Sequence, residues 1–366
     1  MSLWTAFRSG HPTASARIRR TPLAVTAAAS ALVLLSACDV SGAASTAETE
    51  GASDAADADS GAVSGEVNLY TSEPEAKIQE IITAFNEQYP DVDVEVFRAG
   101  TGELKTRIAT EKQSGSIGAD VLLAADVPTF ETYAAEGDLA ALDGVDLEGV
   151  EEEQIDAENM YVGTRIIPTV IAYNTNEVTE APTTWAELAD PQYKDRLVMP
   201  NPEVSGAAAF NAAVWLSQPE LGEQWMTELA ANNPTIVESN GPVSQNVANA
   251  TQPIGVVVDY LVRDLAAEGS PIAVSYPTDG VPYVNQPAGI FEDSDNPEAA
   301  AAFVEFLVSP EGQELAVEQN YVPVRGDVGT PDGAPALEDL ALVTPDYEKI
   351  TAEQDAAVAT FAELFT

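Results

Sequence analysis

Three hydroxyl-bearing residues, Ser72, Thr101 and Ser205, stand at the start of expected helices. The first turn of a helix leaves backbone N–H groups unpartnered and carries the positive end of the dipole, so these positions suit a phosphate or phosphonate. The same hydroxyls also serve as ordinary helix caps. Arg165 supplies a guanidinium fork for an anion or, alternatively, pairs with a surface carboxylate. Asp259 and Asp126 each close an apolar run. Asp259 either neutralises an amine on a zwitterionic ligand or caps the helix that follows. The spacing of Trp185, Trp215 and Trp225 among apolar residues assigns them to the core. Several chemistries are excluded. The chain has a single histidine, His11, inside its leader, and a single cysteine, Cys38. The mature chain therefore builds neither a Ser-His-Asp triad nor a histidine zinc site, and it forms no internal disulfide. It holds no G-x-S-x-G and no P-loop lysine, and Gly100-Thr101-Gly102 lacks the third glycine of a dinucleotide fingerprint. Only a carboxylate-based extracellular enzyme stays open. Binding, without cofactor or catalysis, is the expectation.

The segment that must position the first of these groups runs from Glu66 to Asp126. Val67–Tyr70 is a short apolar run closed by Thr71-Ser72-Glu73-Pro74. Ile78, Ile81, Ile82 and Phe85 recur at helical spacing before Pro90, and Val92, Val94 and Val96 alternate as in a strand. A helix over 103–113 and an apolar strand over 120–124 complete the unit. Two crossovers of this length predict a parallel sheet with helices on both faces and a ligand beyond the carboxyl ends of the strands. Thr71, Ser72, Thr101 and Asp126 stand at those ends. Further on, 165–174 reads as a strand long enough to pass between lobes, with Pro168 at a bend. Strands are expected at 196–199, 234–237, 254–258 and 272–276, with helices at 207–216, after Pro242, and over 261–268. An extended return over 281–291, helices from Pro297 and Pro310, and a tail helix over 347–365 follow.

The first 37 residues hold Arg8, Arg17, Arg19 and Arg20, then an apolar run from Leu23 to Leu35, and no acidic residue. That is a signal peptide, too short to span a membrane. It ends in Leu35-Ser36-Ala37-Cys38, which matches a bacterial lipobox and implies cleavage before Cys38 and its lipidation. Residues 38–65, rich in Ala, Ser, Gly, Asp and Glu, read as a disordered acidic linker. The formal net charge of −45 becomes −49 once the four leader arginines are removed. Such a charge repels nucleic acid and anionic headgroups.

From residue 66 to about 330 the order of segments resembles the family-one extracellular solute-binding proteins of ABC importers, in the ferric-iron and 2-aminoethylphosphonate branch. The resemblance rests on Val67–Ser72 and the helix after it, Gly102-Glu103-Leu104, Ala119-Asp120-Val121, Tyr173-Asn174, Thr184-Trp185 through Pro191, Ser205-Gly206, and Tyr276-Pro277 with Asp279-Gly280. Its most specific piece is Asn296-Pro297-Glu298-Ala299-Ala300 leading to Phe306-Leu307 and Ser309-Pro310-Glu311-Gly312-Gln313. It implies an α/β, two-lobed type II periplasmic-binding-protein fold: lobe 1 at about 66–168 and 283–366, lobe 2 at about 169–282. The crossings fall at Arg165–Asn174 and Tyr276–Ile290.

In function the resemblance implies an extracytoplasmic binding protein, held to the membrane through Cys38. It would serve a permease and an ATPase as a monomer, closing like a clamshell on iron(III) or a small anion such as 2-aminoethylphosphonate. A ligand-sensing surface receptor shares the same architecture. Iron-binding members hold the metal with two adjacent tyrosines, a histidine and a glutamate, hard donors for a hard ion. Here Tyr260 matches the first tyrosine, but Leu261 occupies the second position. Glu73 stands at the histidine position, and Ala125 at the glutamate position beside Asp126. An iron set would therefore be Tyr260, Glu73 and Asp126, and iron would be cargo.

Overall fold

The computed structural model describes residues 63–344 and 346–365. The expected signal peptide, Cys38 and the expected linker as far as residue 62 lie outside the described residues. The chain opens with β1 (Gly65–Thr71), α1 (Glu75–Gln88), β2 (Val92–Arg98), α2 (Thr101–Ser114), β3 (Val121–Leu123) and α3 (Val127–Glu136). The apolar spacing explains the first helix: Ile78, Ile81, Ile82 and Phe85 are its buried residues. β4 (Val162–Gly163) ends the first pass through this lobe.

The second lobe is built from β5 (Ile167–Asn174), β6 (Leu197–Pro200), α4 (Gly206–Ser217), α5 (Gly222–Ala231), β7 (Thr235–Val237), α6 (Asn240–Ala248), β8 (Ile254–Val258), α7 (Asp259–Ala267), β9 (Ile272–Ser275) and β10 (Tyr283–Val284). The chain then returns through β11 (Pro287–Ile290), α8 (Pro297–Val308) and α9 (Pro310–Glu318), and ends in α10 (Tyr347–Phe365).

The first sheet has the order β2-β1-β3-β11-β4. β1 is parallel to β2 and to β3, as the two crossovers require, but β11 runs antiparallel to β3 and to β4. The expected parallel sheet is thus mixed, because the strand returning from the second lobe inserts head to tail. The second sheet has the order β10-β5-β8-β6-β7, with β9 also on β5. Residues 164–166 and 285–286 are the two crossings. The return lies within its expected segment, the outward crossing begins one residue before its own, and each is far shorter because Ile167 and Pro168 already pair with Val284 and Tyr283 in the second lobe.

Each lobe closes its own apolar core. In the first lobe one cluster gathers Ile78, Phe85, Phe303 and Phe306, and another gathers Leu104, Ile108, Phe130 and Phe291. The second lobe packs Trp185, Trp215 and Trp225 together, with ring centroids 5.0 and 5.6 Å apart, as a core and not a cofactor box. The tail departs from its expected lobe. Ile350, Ala357 and Phe361 of α10 join the second lobe's core, and Tyr347 lies against Phe210 of α4. From the same helix Gln354 donates to Asp126 of the first lobe, so α10 bridges both lobes. Among the described residues no helix is long and apolar enough to cross a membrane.

Candidate functional site

Between the lobes lies a cavity of about 390 Å³, lined from both sides. The first lobe brings the ends of β1 and β2: Ser72, Glu73, Arg98 and Thr101. The second brings the N-termini of three helices: Ser205 to Ala207 of α4, Ser239 to Pro242 of α6, and Tyr260 and Leu261 of α7. With α2, four helix N-termini from two lobes face one cavity. Their first-turn N–H groups have no intrahelical acceptor, and each helix turns the positive end of its dipole toward the cavity. Ser205 caps α4, accepting from Ala208 N at 3.3 Å, and it also accepts from Asn240 Nδ2 at 3.0 Å. Cap and binding wall are here the same residue. Ser72 caps nothing: its Oγ accepts from Ala125 N at 3.4 Å, and α1 begins without a side-chain cap. Thr101 is the first residue of α2, whose N-cap is Gly100.

Beside the cavity the lobes touch through backbone. Gly102 N donates to Val204 O at 3.2 Å across the seam. A Cβ on Gly100 would lie 2.7 Å from Val204 Cγ1, and one on Gly206 would lie 2.7 Å from Ala125 O. Lys77 of α1 reaches the other lobe on a second side, pairing with Asp264 at 3.2 Å.

Glu73 is buried, and three donors hold it. Tyr321 Oη donates to its Oε1 at 2.7 Å and Arg165 Nη1 to the same atom at 3.3 Å, while Gln286 Nε2 donates to Oε2 at 2.6 Å. This corrects the expectation for Arg165. Its guanidinium is buried behind Glu73, 4.8 Å from the Tyr321 ring centroid, and does not line the cavity. Tyr260 does line it, its ring centroid 4.4 Å from that of Tyr321 and tilted by 50°. Burial, then the charge of Glu73, holds its phenol far above the ordinary value.

Two further expectations are corrected. Asp259 is buried against Arg263 and accepts from Tyr276 Oη at 3.2 Å, outside the cavity. Burial, partly offset by Arg263, raises its carboxyl above the usual range. Asp126 faces away, toward a separate cavity of about 260 Å³ beneath α10, and accepts from Thr129 and Gln354. It points there because α10, remote in sequence, supplies its partners. Among the described residues no three of His, Cys, Asp or Glu gather as a metal cluster.

Desolvation raises the Asp126 carboxyl above its usual range, with Lys105 opposing. A carboxyl raised by folding favours the native state only when protonated. That contribution is complete below the unfolded value of about 3.9 and is lost as pH climbs through the folded one. Asp126→Asn is therefore expected to melt above the parent at pH 7, with the margin shrinking toward pH 4. Melting curves across that range check it, and a margin constant with pH would sink the assignment.

Arg98 was not among the expected site residues. It ends β2 in the cavity wall, exposed, with Nε donating to Glu73 O at 3.1 Å. Among the described residues nothing accepts from its two terminal nitrogens. The signal was available, since Arg98 closes a strand at the sheet's carboxyl edge.

The family model of bacterial extracellular solute-binding proteins matches residues 117–353, well over half of the chain. The chain belongs to this family. One relative is a putative 2-aminoethylphosphonate-binding periplasmic protein of Salmonella typhimurium, 25% identical over 298 residues, covering 73% of this chain and 82% of its own. In three dimensions the chain is similar to the periplasmic binding protein AfuA of Actinobacillus pleuropneumoniae, bound to fructose-6-phosphate. The TM-score is 0.75 at 21% identity, over 82% of this chain and 98% of that one. It is also similar to iron-bound HitA of Pseudomonas aeruginosa, with a TM-score of 0.71 at 23% identity over 82% and 99% of the two chains. This solute-binding protein has the two-lobed type II fold. It is an extracytoplasmic binding component of an ABC importer, not an enzyme.

Proposed function

We propose that this protein is a lipid-anchored, monomeric binding protein that captures a small phosphonate or phosphate ester, of which 2-aminoethylphosphonate is one, by closing its lobes over it. The observation that carries this reading is the convergence of four helix N-termini on one cavity with Arg98, whose two terminal guanidinium nitrogens have no acceptor among the described residues. Ligand contacts drawn from both lobes stabilise the closed form, which the permease recognises. The anchor is Cys38, and Cys38→Ala is expected to release the protein from the membrane fraction.

Iron(III) is the second reading, favoured by Tyr260 and Glu73 in the same wall. It is the weaker of the two. Leu261 replaces the second tyrosine, Asp126 faces elsewhere, and both Glu73 oxygens already accept hydrogen bonds. A thermal-shift panel decides. At about one hundred times the dissociation constant, a true ligand stabilises by about 2.7 kcal/mol. A phosphonate is expected to do so and ferric iron is not. A visible tyrosinate absorption with iron that disappears in Tyr260→Phe would reverse the order. Arg98→Gln is expected to weaken phosphonate binding by roughly tenfold or more with little change in melting temperature, because the side chain is exposed in the free protein.

A further inference from the structure

Lys77 of α1 stands outside the cavity, and its ammonium is held by both lobes at once. On its own side Nζ donates to Gln319 O at 2.6 Å and lies 5.1 Å from the ring centroid of Tyr321. On the other side it pairs with Asp264 of α7 at 3.2 Å and lies 5.1 Å from the ring centroid of Tyr260, which is cavity wall. The side chains of Lys77 and Asp264 are 14% and 28% exposed, buried enough for their attraction to exceed that of a surface pair. Asn320 makes the same passage between lobes. Its φ of +66° lies in the left-handed region that asparagine tolerates, its carbonyl accepts from Arg263 Nη2, and its Nδ2 donates to Asp264 at 2.7 Å. Gln319 ties this turn back to α1, with Nε2 donating to Lys77 O at 3.0 Å and to Glu80 at 2.8 Å. The bonds from Lys77 and Asn320 to α7 therefore join one lobe to the other.

We infer that Lys77 is a positioning residue that locks the closed form: closure seats its ammonium on Asp264 and on the ring of Tyr260, which fixes that wall of the cavity and slows the solute's escape. An ion pair within one rigid body is made before and after binding and contributes to folding alone. This one spans two bodies that hinge, so it belongs to the shut state and biases that equilibrium. The ammonium serves the lobes unequally. With the lobes apart it keeps Gln319 O and the Tyr321 ring, and it loses Asp264 and the Tyr260 ring. Opening thus breaks the charged part of its contacts and frees a phenol that lines the cavity. Neither Lys77 nor Asp264 lines the cavity itself, so the lock acts on any solute the lobes close over.

The test measures association and dissociation of 2-aminoethylphosphonate by stopped-flow fluorescence of the mature chain, in the parent, Lys77→Met, Asp264→Asn and the double variant. Only the choice of probe rests on the anion reading. Lys77→Met is expected to raise the dissociation rate about tenfold and to leave the association rate within about twofold. Release from the parent is expected to quicken with added salt, which screens the parted charges, and release from Lys77→Met is not. The double variant should release about as fast as Lys77→Met, since both substitutions break one contact. Slower association with unchanged release would make Lys77 a distant cation that steers the anion, and would overturn the lock. Unchanged rates or additive effects would overturn it too. Asp264→Asn decides alone if Lys77→Met does not fold. Should the probe not bind, the anion reading suffers and scattering from the ligand-free chain tests the lock. Lys77→Met is then expected to be more expanded than the parent, and equal radii would overturn the inference.

Discussion

Gly102→Ala is expected to weaken ligand binding by about a hundredfold, near 2.7 kcal/mol, while leaving the protein folded. Gly102 sits in the first turn of α2, and its φ is not in the left-handed region, so no backbone conformation demands glycine there. In a helix alanine is the better residue by about 1 kcal/mol, and the substitution should stabilise α2 taken by itself. What forbids a Cβ is the other lobe, since it would run into Glu203 O across the seam. That atom is backbone and cannot rotate away. The collision exists only when the lobes are shut, so the substitution penalises the closed form selectively and a ligand must overcome the difference. Two measurements check it together: calorimetric affinity falls, and small-angle scattering with saturating ligand shows no contraction. A variant that binds as well as the parent and still contracts would show that the seam opens without cost and would remove this account of closure.

The seam explains a division in what the sequence reveals. Local periodicity exposes the scaffold, because Ile78, Ile81, Ile82 and Phe85, or Val92, Val94 and Val96, carry their own evidence within a few residues. The strand ends were legible for the same reason, and Ser72, Thr101 and Ser205 do line the cavity. Tyr260, drawn from family resemblance, lines it too. Side-chain direction was not legible. Asp126 follows a strand end as Ser72 does, yet α10 binds it from 228 residues away and turns it to the opposite side. Glu73 and Gln286 are 213 residues apart, and Glu73 and Tyr321 are 248 apart. No short-range pattern encodes such pairs, so neither Gln286 nor Tyr321 could be read as part of the site. Arg165 was legible as a charge at a crossing but not as one already spent on a buried partner.

Arg165→Met is expected to lower stability by about 3–5 kcal/mol, a fall in melting temperature of roughly 10 °C. Arg165 and Glu73 are both buried, and the pair joins the end of β1 to the first crossing. Burial of two charges is not itself a gain, since desolvation offsets their attraction. The large effect comes from removing one member, which strands the Glu73 carboxylate with only the neutral donors of Gln286 and Tyr321. The control is Glu73→Gln combined with Arg165→Met. Neutralising the stranded partner should recover a substantial part of the loss, so the double variant should be more stable than the sum of the single losses implies. Strict additivity would mean that the pair is not coupled. The contrast with Arg98 is the sharper result. Removing the exposed guanidinium costs affinity and little stability, whereas removing the buried one costs stability first. If Arg165→Met instead melted like the parent and lost phosphonate binding, the buried arginine would be the anion's ligand after all, and the geometry of the closed cavity would have misassigned the two.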